Sequence, residues 1–271
     1  MTPGVRPPKR FGRRLFRLFS IAPNPLSVIP LLLLRRSGRR ADFRVGNLVL
    51  SARRTDLGAI SEIAIEDEYG FIKQLAFPSS GALVLDIGAN MGCFSALLLS
   101  TCPDAEVHSV EPSPDTFVLL SENRARYSTL RWHTHHSAIA ADTGTFQFHN
   151  DGPSTARKLS PLTAGGVLVD TEAFDSFVTR VARSRRIFLC KMDIEGAEIP
   201  IFSGPMNTLA QIDHFIVEVH GPAANAALVT DRLSATFPHV QVIQGRRSSK
   251  PMIHAWRAGP VDYRKAGAGT E

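Results

Sequence analysis

Residues 83–92, Leu-Val-Leu-Asp-Ile-Gly-Ala-Asn-Met-Gly, constrain the fold more than any other stretch of the chain. A short apolar run ends in an acid and a glycine-rich turn, after which Phe94, Leu97, Leu98 and Leu99 continue at helical spacing. This order predicts a buried strand, a tight turn and a helix. The unit then repeats. Residues 106–110 form a second strand ending in Glu111-Pro112, with a helix from about Pro114 to Arg126. A third strand is expected around Leu130 to Ile139.

Thr145 to His149 alternates like a half-exposed strand behind the turn Asp142-Thr143-Gly144, which predicts a small β-hairpin insertion. Asp151 to Gly166 reads as a loop over the site. A helix near Thr171 to Arg183, a buried strand from Ile187 to Met192 and a helix after Gly196 follow, then a strand from Phe215 to Val219 and a helix near Ala223 to Phe237. Val240 to Ile243 and Met252 to Trp256 form a closing antiparallel pair. Alternating strands and helices predict an α/β, Rossmann-like, mainly parallel sheet with helices on both faces. Sites in such sheets open at the carboxyl ends of the strands, so the residues just after each strand are the candidates for function.

The turn is Asp86-x-Gly88-x-Asn90-x-Gly92, which lacks the Gly-x-Gly-x-x-Gly spacing of a dinucleotide site. Asp86 is placed to meet a cationic ligand, Gly88 and Gly92 let the backbone come close, and Asn90 supplies an amide. Glu111 can accept hydrogen bonds from ribose hydroxyls. Ser137 and Ala138 are placed to border an adenine. A ligand with an ammonium, a sulfonium and a ribose fits this set, which points to S-adenosyl-L-methionine.

The segments VLDIGANMGCFSALL, VHSVEPSPDTFVLLSEN, SAIAADTG, FLCKMDIEGAEIPIFSG and FIVEVHGP resemble the FkbM family of class I methyltransferases. Arg54-Thr55-Asp56-Leu57 and Glu68-Tyr69 share the likeness, which runs from about Ala52 to Pro222. The resemblance implies a seven-stranded methyltransferase sheet, S-adenosyl-L-methionine as donor, and O-methylation of small molecules, polyketides or sugars. Cys93 departs from it where an aromatic is common. The chain then divides into a basic N-terminal extension (1–40), N-terminal helical or lid elements (41–82), a methyltransferase domain (83–260) and a disordered tail (261–271).

Strand alternation puts Lys191 and Asp193 on one face, and Glu218 and His220 on one face. With the two strands adjacent, Lys191 is expected near Glu218, and Asp193 near His220. A hydroxyl must lose its proton as it attacks a sulfonium methyl, so His220 is the expected base, with Asp193 orienting it or contacting the acceptor or the methionine ammonium. A strand-end capping role for His220 stays open. Glu195 borders the acceptor, and Glu198 reads as a helix-start carboxylate. A divalent metal on Asp193, Glu195 and Glu218 is a rival arrangement. His133, His135 and His136 read as strand packing, and Asn123 as a stabiliser of the second helix. The acceptor is a small molecule or glycolipid. Acids after the fourth strand disfavour a nucleic-acid methyltransferase, and the intact Asp86, Gly88 and Glu111 set disfavours a non-catalytic binding module.

The net charge of +6 conceals two parts. Residues 1–40 hold ten Arg and Lys and no acid, leaving 21 basic and 25 acidic residues in the rest of the chain. From Phe11 to Ala22, Phe11, Leu15, Leu18, Phe19 and Ala22 share one helical face, and Arg10, Arg13, Arg14 and Arg17 the other. The segment 10–34 therefore suits an anionic membrane surface. A mobile basic tail and a helix packed on its own domain are the alternatives. The apolar run Leu26 to Leu34 is interrupted by Pro30 and is far short of the ~20 residues of a span. Three scattered cysteines (Cys93, Cys102, Cys190) favour a reducing, cytoplasmic setting, peripheral on the inner membrane face if the head docks there.

Overall fold

The computed structural model describes residues 9–34, 38–149, 158–160, 167–244, 250–259, 261 and 263. Its N-terminal layer comprises helix α1 (Lys9–Ile21), a short 3-10 turn (Pro25–Ser27), helix α2 (Val28–Leu33) and an antiparallel hairpin, β1 (Arg40–Val45) and β2 (Leu48–Arg53). A one-turn helix α3 (Leu57–Ile60) runs on into a π-helical turn, Ser61–Ile65. Residues 41–82, expected as helical or lid elements, include this hairpin. Its strand pattern is visible in the burial of Ala41, Phe43 and Val45 at alternate positions.

The body follows the expected alternation. Strand β3 (Leu83–Ile87) leads through the glycine turn into α4 (Cys93–Thr101), β4 (Glu106–Val110) into α5 (Pro114–Ala125), and β5 (Arg131–His135) ends the first half. Next come β6 (Ala138–Ala140), β7 (Gly144–His149), β8 (Lys158–Ser160) and β9 (Val167–Ala173). The second half runs α6 (Phe174–Ala182), β10 (Ile187–Met192), α7 (Glu198–Ser203), β11 (Ile212–Glu218), α8 (Ala223–Ser234), β12 (His239–Gln244) and β13 (Pro251–Trp256).

Seven strands form one sheet in the order β12-β13-β11-β10-β3-β4-β5. The five strands β11, β10, β3, β4 and β5 are parallel, and β13 runs antiparallel to both of its neighbours, β11 and β12. The strand order turns back at β3, whose neighbours are β10 and β4, so the crevice lies at its carboxyl end. Side-chain alternation divides the core. Val84, Val107, Leu189 and Ile216 pack with α4, α5 and the N-terminal layer on one face. Leu85, Ile87, Cys190, Met192, Phe215 and Val217 pack with α6, α7 and α8 on the other.

Two expectations are corrected here. The single strand over 130–139 is two strands, because Ala138 to Ala140 leaves the main sheet and pairs with β9. The expected small hairpin is a four-stranded sheet, β6-β9-β7-β8, and Val167–Ala173, whose last three residues fall in the helix expected near Thr171 to Arg183, is its long second strand. Most of the stretch Asp151 to Gly166, and nearly all of the tail from 261, lie outside the described residues.

The N-terminal helix buries Leu18 and Ala22 in the core beside β1, with Leu15 and Phe19 half-buried. The apolar face expected to meet a membrane therefore packs on its own domain. Among the described residues no helix is long and apolar enough to cross a membrane.

Candidate active site

A cleft opens at the carboxyl ends of β3, β4 and β10, roofed by the N-terminal layer. Its walls carry Gly88, Asn90, Glu111, Ser137, Ala138, Lys191, Asp193, Glu195 and Glu218, together with Glu62, Glu68, Tyr69, Cys93 and Phe94. Most of the residues singled out from the sequence thus converge on one place, although they span residues 86–220.

Asp86 and Gly92 do not face the cleft. Asp86 is fully buried beneath it. Its Oδ2 accepts from Ser95 Oγ at 2.6 Å, and Lys191 Nζ lies 3.3 Å from its Oδ1. Trp132 Nε1 donates to Ser109 Oγ (2.7 Å), and Ser109 and Ser95 share a 2.7 Å bond. Because Ser95 spends its proton on Asp86, the direction of the whole chain follows: Trp132 to Ser109, Ser109 to Ser95, Ser95 to Asp86. Asp86 is therefore the anchor of a buried network, and not the direct partner of a cationic ligand. Lys191 Nζ donates onward to the carbonyl of Gly88 at 2.9 Å and fixes the turn.

The glycines serve the protein's own packing. A Cβ on Gly88, at φ +78°, would lie 1.8 Å from the carbonyl oxygen of Asp193, and one on Gly92, at φ +96°, 2.6 Å from the Trp132 ring. Only glycine lets the ends of β3 and β10 approach this closely. Asn90 and Glu195 are left-handed non-glycine residues, at φ 52° and 55°, one in each of the turns flanking the cleft. Such strain persists where the surroundings enforce it, and it clusters at functional sites.

Glu111 is 7% exposed. Its Oε2 accepts from the Asn90 backbone N–H (2.9 Å) and its Oε1 from the Ser113 backbone N–H (2.9 Å). The end of β4 thus carries a carboxylate whose orientation is set by the β3 turn. Asn90 Oδ1 accepts from Met91 N at 2.8 Å, so this amide helps to close the turn.

Lys191 is not paired with Glu218 as expected. In the parallel register Lys191 stands opposite Asp86 on one side and Ile216 on the other. Burial opposes its charge, but Asp86 and Asp193 overcome this and hold the ammonium's pKa above its usual value.

Asp193 and His220 do come together, with Asp193 Oδ1 3.8 Å from His220 Nε2. Closer partners surround the ring. Nε2 lies 3.1 Å from Glu195 Oε2 and 2.7 Å from Lys250 Nζ, and Nδ1 lies 3.1 Å from Glu198 Oε1. Burial alone would lower the imidazole pKa. Hydrogen bonds to Glu195 and Glu198 and the charge of Asp193 outweigh it and push the group up to about 10. The contact with Lys250 needs a bare Nε2, whereas the contact with Glu195 needs a proton there, so the two arrangements differ by one proton moved within the cluster.

Glu198 is fully buried and holds this arrangement. It accepts from the backbone N–H of Gly196 (2.8 Å) and of His220 (2.6 Å). Glu218 is pushed up to about 7, first by burial and then by Asp193. Glu68, on the opposite wall, also rises to about 7, from burial and then from Glu218. Asp193 is likewise raised by burial, and its Oδ1 is buried without a hydrogen-bond partner.

Asp193, Glu195 and His220 lie close enough to ligate a metal ion, which resembles the rival arrangement with His220 in place of Glu218. The ammonium of Lys250 already sits among them, 3.3 Å from both Glu195 and Glu218, and supplies positive charge there. A second group of ligand type joins Glu106, His108 and His133 on β4 and β5. It includes one of the three histidines assigned to packing, but Glu106 is held by Arg131, Arg185 and His108.

Lys250 and Glu62 were missed. Lys250 could have been found, because β13 pairs antiparallel with β11 and so starts beside the end of β11, with Met252 opposite Glu218. A residue just before such a strand returns to the site.

Comparison with known proteins bears on what the cleft does. The description "Methyltransferase FkbM domain" matches residues 86–244, more than half of the chain. The chain belongs to the FkbM methyltransferase family. It is 29% identical over 139 residues to the hexuronic acid methyltransferase AglP of Haloferax volcanii, covering 50% of this chain and 54% of that protein. It is 25% identical over 150 residues to Methyltransferase 1 of Beauveria bassiana, covering 47% of this chain and 59% of that one. The chain thus spans little more than half the length of these curated relatives. Among solved structures, the SAM-dependent methyltransferase from Agrobacterium tumefaciens aligns with a TM-score of 0.47 at 11% identity, over 83% of this chain and 72% of that one. The FkbM resemblance read from the sequence is borne out, as is the seven-stranded sheet that it implies.

Proposed function

We propose that this FkbM-family methyltransferase takes S-adenosylmethionine in the strand-end cleft and methylates a hydroxyl of a sugar or sugar-like small molecule. The observation that carries this reading is the acidic character of the cleft wall, lined by six acidic side chains (Glu62, Glu68, Glu111, Asp193, Glu195 and Glu218) and one lysine, Lys191, with Lys250 3.3 Å from Glu195 and Glu218. Such a wall suits an ammonium and a sulfonium and disfavours phosphates. Glu111, fixed at the end of β4, stands where an acid meets ribose hydroxyls in dinucleotide-binding folds. The buried, unpaired Oδ1 of Asp193 suits an ammonium donor. Gly88 to Asn90, Ser137 and Ala138 complete the nucleoside side of the cleft.

When bound, S-adenosylmethionine supplies a methyl group on a sulfonium centre. The chain's own part is to align the acceptor and remove its proton. Glu218 lines the cleft with a pKa near 7, whereas His220 is not among the residues lining it, so this part falls to Glu218. A base poised near the working pH contributes typically ~10²- to 10⁴-fold. Lys250, 3.3 Å from Glu218, and His220, 3.6 Å away, position it.

A sugar acceptor is supported by the hexuronic acid methyltransferase among the relatives. Incubation with methyl-labelled S-adenosylmethionine and a panel of uronic acids, hexoses and polyols tests the reading. Label is expected on a hydroxyl of one sugar class. Transfer only to amines or nucleic acid contradicts it.

A further inference from the structure

We propose that the N-terminal helical layer is a docking surface for an anionic lipid bilayer, through a face other than the one the helical wheel suggests. Leu18, Ala22, Val28 and Leu31 are buried in the protein core, so the inward faces of α1 and α2 are already occupied. Phe16 on α1 is 74% exposed, Leu26 in the turn between the helices 73% and Leu33 on α2 74%, with Ile29 on α2 and Leu34 just after it also exposed. These five account for half of the ten large apolar side chains exposed among the described residues, and they fall within residues 16–34. Isolated exposed apolar side chains need no explanation, but a concentration on one short helical layer does.

Charge selects the occupant. Residues 1–40 carry ten basic residues and no acid. Of these, Arg17 donates to the carbonyl of Ile65 and Arg40 pairs with Glu122. A second copy of the chain would bring two strongly basic heads together, and a nucleic acid would leave phenylalanine and leucine without an apolar partner. An anionic leaflet takes both, with basic groups at the headgroups and apolar side chains in the acyl boundary. Neither helix spans, since α1 has 13 residues and α2 has six.

The placement has a consequence for the site. The inner side of α1 packs on the turn Ser61–Ile65, which supplies Glu62 and Ile63 to the cleft wall. Docking therefore places α1 between the bilayer and this turn. The inference does not depend on the acceptor or on the methyl transfer.

Co-sedimentation of the full chain with vesicles tests it. The protein is expected to pellet with vesicles of phosphatidylglycerol and phosphatidylcholine in equal parts at about 0.05 M salt, and to be released at about 0.5 M, where the Debye length is several-fold shorter. It is expected to remain in solution with phosphatidylcholine alone. The double variant Phe16→Ser, Leu33→Ser, with an unchanged melting temperature, is expected to bind at least about tenfold more weakly, since it loses its insertion into the acyl boundary. Phe16→Trp is expected to shift its fluorescence to the blue on anionic vesicles. Failure to pellet at low salt, or unchanged pelleting of the double variant, overturns the proposal. So does a concentration-dependent dimer that the double variant dissolves, which would assign the patch to a second copy.

Discussion

His220 shows how burial and charge decide a residue's role. Its position after a strand invites a catalytic base, and its ring is held by Glu195 and Glu198 at 3.1 Å and by Lys250 at 2.7 Å. The acid at the end of the same strand, Glu218, is pushed by burial to about 7, a value that suits the proposed base. Because a carboxylate works as a base only when ionised, the rate with saturating donor should rise with pH and level off above about 7. Glu218→Gln should lower kcat by ~10²-fold or more and abolish that limb. His220→Gln should keep the limb while changing its midpoint. A pH–rate profile of the two variants separates these roles, and an unchanged kcat in Glu218→Gln would assign the base elsewhere. Asp86 makes the same point. Its sequence position marks a site, but only the register, which puts it opposite Lys191, reveals that it supports the site from below.

At the level of elements, α5 is fastened to the N-terminal hairpin and to the glycine turn by one side chain. Asn123, fully buried, accepts from the Ser51 N–H at 2.8 Å and donates to the carbonyls of Ser51 (3.1 Å) and Met91 (3.0 Å). The expectation that it stabilises the second helix was too local. Asn123→Ala would leave these three backbone groups unpaired. Since one buried group left unsatisfied costs about 1–3 kcal/mol, the variant should lose at least about 2 kcal/mol in urea unfolding. It should also weaken donor binding, because Met91 belongs to the turn. Strands β3, β4, β10 and β11 were legible because continuous apolar runs between glycines and acids admit little else. Strands β6 and β9 were not. Ala138 to Ala140 is only three residues long, and it changes sheets with no change in composition to mark it. The hairpin of β1 and β2 was hidden because Arg40, Asp42 and Arg44 fill every second position of β1 and mask the alternation of Ala41, Phe43 and Val45. Lys250 was missed because the loop before β13 looks like a basic surface turn until that strand is placed beside β11.

Across the whole molecule, charge is distributed by depth. Burial pushes His254 down to about 3 and His214 and His135 to about 4. Their folded-state pKa values lie below the unfolded value near 6.5, so the stability they contribute is present above 6.5 and lost as pH falls. Glu68 and Glu218, raised to about 7, act in the opposite direction between about 7 and 4.5, because the folded state takes up their protons first. Below about 4.5 that offset ends. Glu106, drawn down to about 2 chiefly by its bond to Arg185, then adds to the loss. The melting temperature should therefore change little from pH 7 to 4.5 and fall steeply below it. A steep fall already between 7 and 5 would contradict this balance. On the proposed reading, the acidic strand-end cleft, with Glu111 set by the turn of β3, binds the methyl donor. Calorimetric titration with S-adenosylhomocysteine tests it most directly. One site per chain, weakened about tenfold or more by Glu111→Gln at unchanged melting temperature, is the predicted result, and no binding to the folded wild-type chain would contradict it.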